Sequence, residues 1–310
     1  MGLVMRELRQ FVEVANRRSI SRAAERLNIS QPALSRAIRQ LEHSYGVPLF
    51  VRTGAGVVLS PYGTALYGRA VRALRALEEA REEISLLQGS AKVTLNIAAG
   101  DLWGLVILPN VINRFAETHA DVLVRLDVIE DRTRYEGLRN GIYDIVFGTP
   151  LPNYEAMAPM QFEPLVRQGT YVYCDATHPL ASQPDPGPND YARFSWVSHG
   201  FVEETRASHG DTQRDYAVRA DTMMHALVLM RGSRLLTSAS SGFAPLFRQF
   251  GVVSIGVDEA AGVVLSGPAY PDNQIERTAM RDFLSLTRQQ VEQLALPDWP
   301  AGRTPSEHRS

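Results

Sequence analysis

The chain has 310 residues, 45% hydrophobic and 21% charged, with a net charge of −2 and one cysteine, Cys174. That length favours two domains over one and supplies enough apolar mass for a core without staples, while a lone cysteine excludes an internal disulfide framework, a cysteine-based zinc finger and a two-cysteine redox switch. No run of 18 apolar residues occurs, and the start MGLVMRELRQ lacks an uninterrupted apolar stretch with a cleavage site. Neither a spanning helix nor a signal peptide is expected, and a cytoplasmic location follows.

The charge is uneven. Residues 1–60 carry nine Arg and four Glu, a balance of +5; residues 61–90 are balanced, which leaves −7 on the remainder. A basic head on an acidic body fits a head that meets a polyanion, although chance clustering of surface arginines gives the same tally.

Met5, Leu8, Phe11, Val12 and Ala15 recur at helical steps and define a first apolar face. Ser19 caps a second helix, Ile20 to Leu27, with the small Ala23-Ala24 pair inward, and Asn28-Ile29 makes the turn. Ser30 caps a third helix, and Pro32 sits in its first turn, where a missing N–H costs nothing. Leu34, Ile38, Leu41 and Tyr45 form its buried stripe, while Pro32, Arg36, Arg39, Gln40 and His43 face outward and Gln31 and Ser35 flank the start. Amide, hydroxyl and guanidinium groups at a helix N-terminus suit a major groove, where they reach base edges and phosphates. Gly46 ends the helix, and the runs 48–52 and 57–59 read as two short strands, a β-wing beside a helix-turn-helix. A plain three-helix bundle with a hairpin is the alternative; the positive charge and the polar helix start argue against it.

The run SISRAAERLNISQPALSRAIRQLEHSYGVPLFVRTGAGVVLS resembles the DNA-binding domain of LysR-type transcriptional regulators, most specifically in SQPALSRAIRQLE and GVPLFVRT. The resemblance implies a winged helix-turn-helix over about residues 3–60, its helix-turn-helix near 20–39. It implies that Gln31, Pro32 and Ser35 approach bases, that Arg36, Arg39, Arg52 and Thr53 complete the DNA-binding set, and that Arg36 and Arg52 hold phosphates. Many members carry Arg where this chain has Ala55, so minor-groove reading by the wing is not implied.

Pro61 opens a long helix. Leu66, Ala70, Ala73, Leu77, Ala80, Ile84 and Leu87 follow a 3.5-residue repeat, a narrow seam that needs a partner helix. A second copy of the chain supplies one and adds a second reading helix; packing on the chain's own body is the alternative. The resemblance favours a dimerising linker, residues 61–89, with Gln88-Gly89-Ser90 at the boundary.

Residues 90–300 read as β-α-β-α-β, a mostly parallel sheet: strands 93–97, 122–129 and 143–147 with helices 105–117 and 133–140. A second set follows, with strands 170–174, 195–197, 216–219 and 235–238, helices 222–231 and 243–250, a loop at 181–190 and a terminal helix 275–294. The order resembles the family's α/β effector domain, two-lobed like type 2 periplasmic binding proteins. Lobe I is expected to take 91–162 and 267–295, and lobe II 163–266. Ligands of open α/β sheets sit at strand carboxyl ends. Candidates are Gly100, Asp101 and Trp103; Glu130, Asp131 and Arg132; Gly148 and Thr149; and Ser198, His199, Thr222, Met223, Thr237 and Ser238. Thr222 serves equally as a helix cap, and His199 as an internally satisfied histidine. With Ala98-Ala99-Gly100-Asp101 where many members carry Ser or Thr, carboxylate recognition is not indicated there; Glu130 and Asp131 point to a hydroxylated or cationic ligand.

No His-x-x-x-His pair, Gly-x-Ser-x-Gly or Gly-x-x-x-x-Gly-Lys occurs. Neither a metal, a cofactor nor catalysis is expected. The reading is a sequence-specific regulator that binds double-stranded promoter DNA and a small effector, and that pairs with itself, four chains as a dimer of dimers by family resemblance. RNA polymerase is a further partner in that scheme, and no membrane is. A transport solute-binding protein would need a secretion signal and no basic head; an enzyme would need a nucleophile and base that are not found.

Overall fold

The computed structural model describes residues 2–54, 56–87, 92–129, 131–150, 160–199, 214–258, 261–271 and 278–294. They form two compact units: residues 1–94 with 121–123 and 136–144, and the remainder.

In the first unit, α1 (Gly2–Arg17), α2 (Ile20–Arg26) and α3 (Gln31–Tyr45) enclose a core of Phe11, Val14, Ala23, Ala24, Leu34, Ile38 and Leu41. The caps are those the sequence implies. Ser19 Oγ accepts from Arg22 N, and Ser30 Oγ accepts from Ala33 N, each relieving one orphan donor of a helix start. Gly46, at φ 68°, closes α3 in the left-handed conformation that favours glycine. Tyr45 departs from expectation: it is 50% exposed, because the last turn of α3 runs past the core that Leu41 closes. The wing pairs β1 (Phe50–Thr53) with β2 (Gly56–Leu59) antiparallel, and Phe50 packs on Phe11 with ring centroids 5.3 Å apart.

Helix α4 (Pro61–Leu87) has 27 residues, about 40 Å at 1.5 Å per residue. Its Gly63 is required by packing: a Cβ there would overlap the Leu49 carbonyl. The seam is divided. Ala70 is buried in the head's core and Leu66 packs against it, whereas Ala73, Leu77, Ala80 and Ile84 are exposed. Burial of the Leu87 side chain, and Ala55 altogether, lie outside the described residues. Within this unit α4 is also tied to the segment 139–144. Arg72 donates to the Arg139 carbonyl, and Arg75 donates to the carbonyls of Gly141 and Ile142 and to the carboxylate of Asp144, whose side chain is 1% exposed.

The α/β part is two-lobed. Lobe I holds β3 (Val93–Ala99), β4 (Val122–Val128) and β5 (Ile145–Gly148), with α5 (Leu108–Thr118) and α6 (Asp131–Arg139) between them. The helix after β3 begins as a π turn, Trp103–Ile107, where Gly104 lies against Val128. The short β6 (Met160–Phe162) completes this lobe's edge. Lobe II is built on β7 (Val166–Asp175), with a 3-10 turn (Pro179–Ser182) and the short α7 (Pro188–Tyr191) inside the stretch expected to be loop. It continues through β8 (Trp196–His199), β9 (Tyr216–Ala220), α8 (Met223–Met230), β10 (Thr237–Ser240), α9 (Ala244–Gln249) and β11 (Val252–Val257). The long β12 (Val263–Pro271) returns to lobe I, followed by α10 (Thr278–Gln293); 275–277 lie outside the described residues.

The main sheet runs β10-β7-β12-β5-β3-β4 and is mixed rather than mostly parallel. β3 and β5 are parallel, but β12 is antiparallel to β5, β6 and β7, and β7 to β10 and β11. The two crossing strands therefore pair with each other, Val263 to Ser266 against Val166 to Gly169. Both sheet faces of lobe II are packed. Val172, Cys174, Trp196 and Leu236 lie in one cluster; Tyr173, Val197, Ala239, Met223 and Phe247 lie in the other. Burial pushes the Cys174 thiol up to about 12, which makes it an inert core residue.

Candidate nucleic-acid interface and effector cleft

Helix α3 turns Leu34, Ile38 and Leu41 inward, so the 100° step carries Gln31, Pro32, Arg36 and Arg39 outward, all exposed, with Ser35 half-buried beside them. Arg52 and Thr53 are exposed on β1. Among the described residues no ion pair engages Arg36, Arg39 or Arg52, so their charge is available to an outside anion. Two contacts fix the wing. Glu42 on α3 accepts from Leu49 N at 2.8 Å and from Phe50 N at 3.2 Å. Val57 N donates to the Arg18 carbonyl at 3.0 Å, a contact that needs glycine at 56, where a Cβ would overlap that carbonyl. Thr53 Oγ1 donates to the Gly56 carbonyl across the turn.

Asp101 Oδ2, after β3, accepts from Met223 N at 3.1 Å at the start of α8. Thr222 caps that helix by accepting from His225 N. A ring nitrogen of His199 lies 2.9 Å from the Ser238 carbonyl, and burial lowers the imidazole's pKa, opposed by that carbonyl and by Asp101. Gly100, Asp101, His199, Thr222 and Met223 are thus brought together.

Other candidates fall elsewhere. Trp103 is 1% exposed, packs on Phe147 and donates Nε1–H to Ser266 Oγ on the crossing strand β12, so it is a wall between strands. Thr237 is fully buried and spends its hydroxyl on the Val197 carbonyl. Ser238 donates to Asp258, which holds Arg214 through two hydrogen bonds. Arg132 and Thr149 are exposed, and Glu130 lies outside the described residues.

Four residues were not anticipated. Arg134 is fully buried behind Gly100 and Gly148; it donates to the Ile129 carbonyl and pairs with Asp131, while its Nε has no partner among the described residues. A Cβ at Gly148 would overlap the guanidinium, so glycine is needed there. Gln168, Thr170 and Ser240 are buried with side-chain polar atoms that have no partner among the described residues, as is the hydroxyl of the anticipated Ser198. A shallow pocket of about 530 Å³ beside Asp175 and Gly232 lies at the other end of β7. Its carboxylate is already taken by Thr177 and Gly232, which hold the Asp175 pKa below the usual carboxylate value.

This architecture, a winged helix-turn-helix joined by a long helix to a two-lobed α/β body, is that of a ligand-responsive DNA-binding protein. Residues 5–64 match the bacterial regulatory helix-turn-helix protein, lysR family, and residues 88–292 match the LysR substrate binding domain; the chain belongs to the LysR family of transcriptional regulators. The RuBisCO operon transcriptional regulator of Allochromatium vinosum is 29% identical over 279 residues, 88% of each chain. PcaQ, an HTH-type transcriptional regulator of Agrobacterium fabrum, is 34% identical over 177 residues, 57% of each, so this chain spans a little over half of that relative. Among solved structures, CbnR, a LysR family transcriptional regulator, gives a TM-score of 0.63 at 18% identity, covering 93% of this chain and 99% of that one. CbnR complexed with its target DNA gives 0.61 at 18%, covering 92% and 99%. These structural matches establish the fold. The family's members are regulators rather than enzymes, with a helix-turn-helix DNA-binding domain and an effector-binding domain; they bind promoter DNA and small molecules, and they oligomerise.

Proposed function

We propose that residues 3–60 read a promoter, residues 61–89 pair two chains, and residues 90–300 bind the effector that switches them, with lobe I at 91–162 and 267–295 and lobe II at 163–266. Gln31, Pro32 and Ser35 approach base edges; Arg36, Arg39, Arg52 and Thr53 hold the backbone. The exposed Leu77, Ala80 and Ile84 meet the partner helix, and two dimers assemble on a pseudo-palindromic site in the cytoplasm, in reach of RNA polymerase. The effector lies between the strand ends near Gly100, Asp101, His199 and Thr222. It acts by binding one assembly geometry more tightly than another.

One observation carries the DNA reading: the polar N-terminal end of α3 is exposed, and its arginines have no carboxylate partner within the described chain. Arg36→Ala is expected to weaken binding to every duplex and to lower the salt slope by about 1. Gln31→Ala is expected to relax sequence preference by about 1–3 kcal/mol while leaving that slope intact. A titration of promoter and bulk DNA across salt concentrations separates them. An Arg36→Ala protein with altered preference and an unaltered slope would refute the assignment.

A further inference from the structure

On β7, Gln168 and Thr170 share the sheet face of Val172 and Cys174, by the two-residue alternation of a strand. Thr170 is directly opposite Ser240 on β10. β8 runs parallel to β10 through the Trp196–Leu236 bridge, and both of those residues belong to the same face cluster, so Ser198 and Ser238 share it too. One face of lobe II therefore changes character along its length. It is apolar at Val172, Cys174, Trp196 and Leu236, then polar at Gln168, Thr170, Ser198, Ser238 and Ser240.

The polar stretch lies at the carboxyl ends of the parallel strands β8 and β10, the end at which α/β sheets take ligands. It adjoins the junction of the lobes: a Cβ at Gly242 would meet both the Gln168 carboxamide and Leu102, the neighbour of Asp101.

Gln168 is 1% exposed, Thr170 and Ser198 each 6%, and Ser240 9%. Among the described residues both amide atoms of Gln168 and all three hydroxyls lack a hydrogen-bond partner. One such buried group costs free energy; five polar atoms on one face make a set of donors and acceptors awaiting partners. The nearby cations are paired: Arg214 is held by Asp258, which also accepts from Ser238, and Arg134 pairs with Asp131, while Asp101 accepts from Met223 N and keeps its negative charge. The free groups are a carboxamide and hydroxyls, each able both to donate and to accept.

We propose that this face, through Gln168, Thr170, Ser198 and Ser240, binds an uncharged effector bearing several hydroxyl or carboxamide groups. The proposal rests on the cleft reading above and names the ligand class for it. A carboxylic acid is disfavoured because, among the described residues, no unpaired cation is seen against the cluster and Asp101 nearby is negative; an uncharged polar molecule replaces every lost hydrogen bond with water at no charge penalty.

The test has two arms on the full-length protein. First, thermal unfolding without ligand compares Thr170→Val and Ser240→Ala with Thr237→Val, whose hydroxyl is already bonded. Removing unpartnered hydroxyls is expected to raise Tm, and removing the bonded one to lower it. If Thr170→Val and Ser240→Ala lower Tm as Thr237→Val does, the hydroxyls are structural and the proposal is overturned. Second, calorimetry tests D-xylose, myo-inositol and acetylurea against D-glucuronate and succinate. An uncharged compound is expected to bind, and to lose roughly tenfold in affinity for each hydroxyl removed. Binding by the acids alone overturns the ligand class but keeps the cleft. Binding by an uncharged compound that is unchanged in the Thr170→Val/Ser240→Ala protein overturns the site. No binding by any compound, with no change in DNA binding, counts against both.

Discussion

The grip of Glu42 on the wing can be removed by one substitution. Its carboxylate takes two backbone N–H groups, Leu49 at 2.8 Å and Phe50 at 3.2 Å, and Leu49 is 1% exposed. Hydrogen bonds to a charged acceptor contribute about 1.5–3 kcal/mol each. Glu42 is itself half-buried, so water recovers part of that in a truncated protein, and Glu42→Ala is expected to cost about 2–4 kcal/mol. Glu42→Gln keeps one carbonyl acceptor and is expected to lose about half as much. In a unit of this size a kilocalorie moves the midpoint by about 4–8 °C. Scanning calorimetry of the full chain reads the shift in the transition that contains α1 to α4. DNA affinity measured well below that transition reports the wing separately, and it is expected to fall equally for specific and bulk duplexes. A loss below about 0.5 kcal/mol for Glu42→Ala, the range of plain surface changes, would show that the two bonds do not hold the wing.

Arg75→Met removes the ion pair of the buried Asp144 carboxylate and is expected to destabilise the first unit by about 3 kcal/mol, the lower end for a broken buried pair; if adding Asp144→Asn recovers none of it in a double-mutant cycle, the pair is not coupled. Acid is expected to weaken the effector unit. Burial depresses the pKa of both His178 and His199 below the ordinary 6.5. As pH drops through 6.5 toward those lowered values, the unfolded chain takes up protons that the folded one refuses. Stability from this source is complete above pH 6.5 and is lost through that window, with Asp175 adding a further loss below about 3.8. A urea midpoint that rises between pH 7.5 and 5.5 would contradict this. Leu77→Asp, at a position 46% exposed in the single chain, is expected to leave folding intact and to halve the sedimenting mass of the dimer; unaltered sedimentation would remove α4 as the pairing element.

The head was legible because its signals are local. Ser19, Ser30 and Gly46 act within four residues of themselves, and the apolar stripe of α3 needs only the helical period. Tyr45 misled because the period continues one turn beyond the core it serves. In the body the crossing strand β12 escaped notice, and β7 was read only over 170–174. β12 contains Gly267, Pro268 and Pro271, residues that ordinarily punctuate loops. They persist there because Gly267 lies against the Glu163 carbonyl and the Pro268 carbonyl accepts from Glu163 N. Trp103 and Thr237 were expected at the ligand but are consumed by Ser266 and the Val197 carbonyl, partners 163 and 40 positions away. The same distance hid Gln168, Thr170 and Ser240. Each is an ordinary polar residue in its own segment, and only strand register makes them one surface.

Arginine is used in two ways in this chain. In the second unit Arg134 is held by Asp131, Arg214 by Asp258 and Arg288 by Glu163, and Arg214 also lies over the Trp196 ring at 4.3 Å. A planar guanidinium gripped by a carboxylate has little freedom left, and where the two come from different segments, as Arg214 with Asp258 and Arg288 with Glu163 do, it fixes the distance between them. The same side chain in the head, at 36, 39 and 52, is exposed with no carboxylate partner among the described residues, and so keeps its field for a polyanion. Salt therefore acts on the two parts differently. Ions screen exposed charges over about 10 Å at 0.1 M but reach buried pairs far less. The ionic strength that releases DNA is therefore expected to leave the second unit folded, since its Arg214–Asp258 pair is only 11% and 4% exposed.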